Sequence, residues 1–143
     1  MSPWRILIMS LLAHVVVAGV APSPWWAPNL TLVGLILAIV QTPTRWLLLS
    51  GVAGLWAMVW AIRFPVPILM SYLLLGWVAQ VLARSWDVRD LRVQCVMAVI
   101  GSLITTLEAL WLDDLWSLPL LGLLSVQVVV TTLALPCTRR LTT

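Results

Sequence analysis

Few side chains in this sequence are able to do chemistry, and they stand far apart. Glu108 sits in a long apolar run, with Thr105 three positions before it. A carboxylate inside a membrane span is costly, so it faces protein or water rather than lipid. It reads first as a helix-pairing group, then as an interfacial acid reaching toward headgroups beside Asp113, and last as a transport or catalytic residue. His14, the single histidine, falls in the middle of the first apolar run. An imidazole hydrogen-bonded to a neighbouring helix fits that position, and a metal site would need further ligands. Cys95 and Cys137 are in no metal or redox spacing and read as free thiols. There is no glycine-elbow serine paired with a histidine, no phosphate-cradling glycine loop and no repeated carboxylate. The sequence therefore predicts no catalytic residue, no cofactor and no metal: not an enzyme.

What must position these residues follows from composition. The chain has 143 residues, 62% apolar and 9% charged, with a mean hydropathy of +1.08. Soluble domains carry about 25% charged residues. Eight arginines and five acids cannot solvate this much Leu, Val and Trp, which excludes a soluble enzyme, a disordered chain and a conventional nucleic-acid binder. The expectation is a single membrane-embedded helical domain over residues 1–143.

Six apolar runs are separated by short polar breaks: Ile6 to Val20, Asn29 to Val40, Trp46 to Ile62, Pro65 to Ala83, Val93 to Leu112 and Leu115 to Leu135. A crossing needs about 20 apolar residues, and roughly 17 suffice. Backbone groups must pair within lipid, and runs such as Leu73-Leu74-Leu75 do not alternate as barrel strands do. The fold class is thus an all-α integral membrane protein with six transmembrane helices. Five are possible, because the second run is short and could be tilted or re-entrant. The first run has some signal-peptide character, but Pro22 after the candidate cleavage site favours a retained helix.

With a cytoplasmic N-terminus, six crossings put Arg5, Arg45, Arg84, Arg89, Arg92, Arg139 and Arg140 inside and Arg63 outside with Asp113 and Asp114. That is the asymmetry short loops show in an inner membrane, with both termini cytoplasmic. Trp25, Trp26, Trp60, Trp111 and Trp116 fall near the outer boundary and Trp4, Trp46 and Trp86 near the inner one, as interfacial belts. Trp56 and Trp77 sit deeper. Ser50, Gly51 and Gly54 offer a small-residue face for close helix approach, and Gln80, Gln94 and Gln127 suit interhelical hydrogen bonds. The stretch from Arg84 to Arg92, with Asp87, Arg89 and Asp90, could meet an acidic protein surface or anionic lipid, or could serve topology alone.

Several features recur in a recognisable order. Leu11-Leu12-Ala13-His14 lies in the first helix, Pro28-Asn29-Leu30 opens the second, and Thr42-Pro43-Thr44-Arg45 makes a short turn. Gly51 and Gly54 begin the third helix, a basic loop runs from Arg84 to Arg92, and one acid, Glu108, stands in the fifth. In this order the chain resembles the rod shape-determining protein MreD family. His14 stands where the family often has Gln, and Met58 about where the family's third-helix acid falls. The resemblance implies a compact bundle similar to the substrate-binding subunits of energy-coupling-factor transporters. It also implies a non-enzymatic scaffold of the cell-elongation machinery, associated with an MreC-like protein and with wall-synthesis membrane proteins. Candidate helix-packing or partner contacts are His14, Asn29, Ser50, Gly51, Gly54 and Glu108. The rival readings are a vitamin- or ion-binding transporter subunit, using Asn29, Arg63 and Glu108 with Asp113 or Asp114, and an accessory subunit of another membrane complex.

Overall fold

The computed structural model describes residues 2–20, 28–60, 65–112 and 118–142, apart from the side chains of 60, 65, 109–112, 118–121, 123, 124 and 142. The readings made for Trp25, Trp26, Arg63, Asp113, Asp114 and Trp116, and for the Trp60 and Trp111 side chains, lie outside the described residues. The described chain is helical throughout. Its helices are α1 (Pro3–Val20), α2 (Leu30–Gln41), α3 (Trp46–Trp60), α4 (Pro65–Ser85), α5 (Leu91–Leu112) and α6 (Leu118–Thr142), with a 3-10 turn over Pro43–Arg45 before α3.

Three segments, Pro3–Val20, Val66–Ser85 and Leu91–Glu108, are long and apolar enough to cross a membrane. Their outward surfaces fit lipid as solvent. On α1, Ile8, Met9, Leu12 and Val16 are exposed, and on α3 Leu48, Val52, Leu55 and Val59 form a similar stripe. Apolar side chains outside as well as inside depart from the pattern of a water-soluble bundle, whose outer face is polar.

The centre is α2. Every residue from Thr31 to Ile39 is buried, so the helix is enclosed on all sides by α1, α3, α4, α5 and α6. At 12 residues it rises about 18 Å, well short of a hydrocarbon core of about 30 Å. The sequence left open whether Asn29 to Val40 crosses; the helix formed there is too short to do so unaided.

Close packing rests on residues without bulk. Gly34 of α2 lies against Ser10 of α1. Gly76 of α4 lies against Ser50 of α3, where an added Cβ would meet Ser50 Cβ at 2.8 Å and the Trp46 ring at 3.1 Å. A Cβ on Gly54 would come within 2.7 Å of Leu69, and one on Gly101 of α5 within 2.8 Å of Leu32. Ser50 and Gly54 thus face α4, one turn apart, which is the approach that small-xxx-small spacing permits. Gly51 does not join them: nothing lies within 4 Å of its Cβ position. Between α2, α4 and α5 a void of about 10 Å³ remains, lined by Leu32, Leu35, Ile39, Leu75, Met97 and Ile100. Its walls are apolar and it scarcely has room for one water.

α6 runs past the break that Pro136 suggests. The helix continues to Thr142, with Thr138 Oγ1 donating to the Ala134 carbonyl at 2.9 Å. The ring of Pro136 removes one backbone donor. The final turn is held instead by Arg139, whose guanidinium donates to the Arg89 carbonyl at 2.9 Å.

The two exposed-versus-packed glycines make opposite predictions. Gly51→Ala gains helix propensity, up to about 1 kcal/mol, at no steric cost. Gly76→Ala gains the same propensity but forces α3 and α4 apart, and overpacking costs about 1–3 kcal/mol. Unfolding in detergent micelles should show Gly51→Ala equal to or more stable than the parent, and Gly76→Ala less stable.

Candidate functional site

The polar groups within the bundle meet where α2 begins. Asn29 is its N-cap, with φ −78° and ψ 82°, and Oδ1 accepts from the Leu32 amide at 3.2 Å. The Asn29 amide itself donates to Thr131 Oγ1 of α6 at 3.0 Å. The Tyr72 phenol of α4, only 6% exposed, lies beside the Asn29 carboxamide. The His14 imidazole of α1 lies beside the Pro28 backbone, with Nδ1 buried and without a partner among the described residues. Glu108 of α5, half-buried, lies within Coulombic range of Tyr72.

Local sequence explains the arrangement. Asn is among the best N-cap residues because its short side chain reaches the N2 or N3 amide, and Pro28 just before it fixes the approach of the chain. Without these partners the first amides of α2 would be stranded in an apolar interior, each at a cost of about 1–3 kcal/mol. Thr131, Tyr72 and His14 each sit within about one turn of the midpoint of their helices. The N-terminus of α2 is therefore at mid-depth in the bundle, and its positive dipole end is embedded there.

Of the residues singled out from sequence, His14, Asn29 and Glu108 come to this one region from α1, the start of α2 and α5. Ser50 and Gly54 lie apart, at the α3–α4 contact. Arg84, Asp87, Arg89, Asp90 and Arg92 form the opposite, basic end with Arg5, Arg45, Arg139 and Arg140, because α1 begins, α2 and α6 end, and α4 turns into α5 there. Gln94, 2% exposed, donates to the Val88 carbonyl at 2.9 Å. Thr105 turns back onto its own helix, donating to the Gly101 carbonyl at 3.0 Å. Trp77 is 52% exposed, whereas Trp56 packs partly buried against the core.

Sequence reading missed Tyr72 and Thr131. Tyr72 is the chain's single tyrosine. A polar tip in the middle of an apolar run was the available signal, since a buried phenol hydroxyl usually finds a partner. Thr131 gave none, because threonine in a span commonly bonds its own helix, as Thr132 does to the Val128 carbonyl at 2.8 Å.

The arrangement can cap a short helix and bring three others, α1, α4 and α6, to its start. Among the described residues no group of three or more His, Cys, Asp or Glu could hold a metal ion. Comparison with protein-family models, with curated proteins and with solved structures gave no match.

A double-mutant cycle tests the cap. Asn29→Leu removes the N-cap acceptor and strands the Tyr72 hydroxyl, an expected loss of about 2 kcal/mol. Tyr72→Phe should cost about 1 kcal/mol. The double variant should lose less than the sum, because the hydroxyl stranded by one change is deleted by the other. Strict additivity in a micellar unfolding assay would refute the contact.

Proposed function

We propose that this protein is a non-enzymatic scaffold of the bacterial cell-elongation machinery, acting through its helix faces. The carrying observation is how its polar groups are used. Asn29 and Thr131 direct hydrogen bonds to one another and to the start of α2, Tyr72 and His14 lie beside them, and the void between α2, α4 and α5 is about 10 Å³. The outward faces of α1 and α3 are apolar stripes, available to lipid and to a partner's transmembrane helix. Such helices associate by close packing and occasional interhelical hydrogen bonds.

The MreD-like order of features supplies the biological setting. On this reading the chain lies in the inner membrane with six crossings and both termini cytoplasmic. The partners are an MreC-like protein and wall-synthesis membrane proteins. On the same reading the compact bundle is similar to the substrate-binding subunits of energy-coupling-factor transporters.

A vitamin- or ion-binding subunit is the second reading. One observation favours it: a helix N-terminus opens at mid-depth beside His14, Tyr72 and Glu108, as in transporters built from broken helices.

Depletion in a rod-shaped host should turn rods into spheres. Cells that keep their shape and lateral wall growth would exclude the scaffold role. Tight binding of a B vitamin by the purified protein would instead favour the transporter reading. Orientation is tested with the exposed Cys137 in a Cys95→Ser background. A membrane-impermeant maleimide should leave it unlabelled in intact spheroplasts and label it once the membrane is opened.

A further inference from the structure

The connection between α4 and α5 is a built corner. Trp86 N–H donates to the Leu82 carbonyl at 2.8 Å, Asp90 N–H to the Asp87 carbonyl at 3.1 Å, and Gln94 N–H to the Asp90 carbonyl at 3.1 Å. The side chain of Asp87 accepts from the Arg89 amide at 3.1 Å, and that of Asp90 from the Arg92 amide at 3.0 Å. Both acids are thereby used as backbone caps. The corner is also fastened to α6. Arg139 donates to the Arg89 carbonyl at 2.9 Å and to Gln94 Oε1 at 3.5 Å, while Gln94 holds the Val88 carbonyl.

The consequence is a rigid turn that displays cations. Arg84, Arg89 and Arg92 are exposed, and none is ion-paired with an acid among the described residues. Trp86, 53% exposed, stands between Arg84 and Arg89. Asp87 and Asp90 keep their charge while accepting from amides of their own turn, so the corner carries three cations and two anions, with the guanidinium groups left free of ion pairs among the described residues. Three guanidinium forks match phosphate oxygens, and an indole beside them suits the headgroup level. The corner terminates helices of an apolar bundle, so the phosphate chemistry within its reach is that of the membrane surface.

We infer that this corner binds the phosphodiester headgroup of an anionic phospholipid. Charge complementarity and prior ordering of the turn carry the inference, which stands apart from the scaffold reading. An arginine near an anionic surface is worth about fivefold in affinity, and with Asp87 and Asp90 offsetting two of the three the corner's net preference over a zwitterionic lipid is about fivefold.

The test uses the full chain in detergent micelles, supplied with phosphatidylglycerol or with phosphatidylcholine of the same acyl chains. Bound lipid is counted by native mass spectrometry, and the unfolding midpoint is recorded. Phosphatidylglycerol should stay bound and raise the midpoint, and phosphatidylcholine should not. The triple variant Arg84→Gln, Arg89→Gln, Arg92→Gln should lose both effects, while Arg5→Gln, Arg45→Gln keeps them. Should the triple variant not fold, Arg84→Gln and Arg92→Gln alone should each weaken retention about fivefold. Equal retention of the two lipids, undiminished retention by the variants, or the same stabilisation from inorganic phosphate would overturn the proposal.

Discussion

An apolar interior tolerates no unpaired backbone amide, and α2 begins inside one. Asn29 and Thr131 meet that demand directly. Asn29 caps the helix at Leu32, and its own amide is taken up by Thr131 from the other end of the sequence. The Tyr72 phenol lies beside the Asn29 carboxamide, which brings α4 to the same point. His14 lies beside the Pro28 backbone, which brings α1. One local requirement, satisfaction of a helix start, thus sets the relative height of four elements.

Around that point the helices approach closely because bulk is absent where they touch. Ser10 against Gly34, Ser50 against Gly76 and Leu32 against Gly101 are contacts made by missing side chains. In lipid there is little hydrophobic drive between helices, so dispersion across such contacts carries the assembly. Among the described residues three features separate: a few hydrogen-bonding groups within an aliphatic interior, aliphatic side chains outside, and guanidinium groups gathered at one end. A scaffold reading uses the second and third of these and leaves the first as internal structure.

Sequence alone made the helices legible, because long apolar runs broken by charge have few other folds available in lipid. The boundaries were less so. Pro136 reads as a stop, yet α6 passes through it, because Arg139 and Thr138 hold the final turns. The Ser50 and Gly54 spacing marks a face that packs, while Gly51 beside them points elsewhere, and only the register of α3 against α4 separates the two. His14, Asn29 and Glu108 stood out as polar residues in apolar runs. Their convergence, with Tyr72 and Thr131, depends on helix heights that no local pattern encodes. Asp87 and Asp90 read as charges in a basic loop, whereas their work is to terminate backbone.

The bond from Asn29 to Thr131 joins positions 102 residues apart. During synthesis the first hairpin leaves the ribosome long before α6 exists. Until then, α2 has neither the length to hold itself across a bilayer nor all the groups that satisfy its start. The start of α2 is therefore incomplete until α6 has been made. Maturation of this protein includes a closing step, in which α6 completes α2.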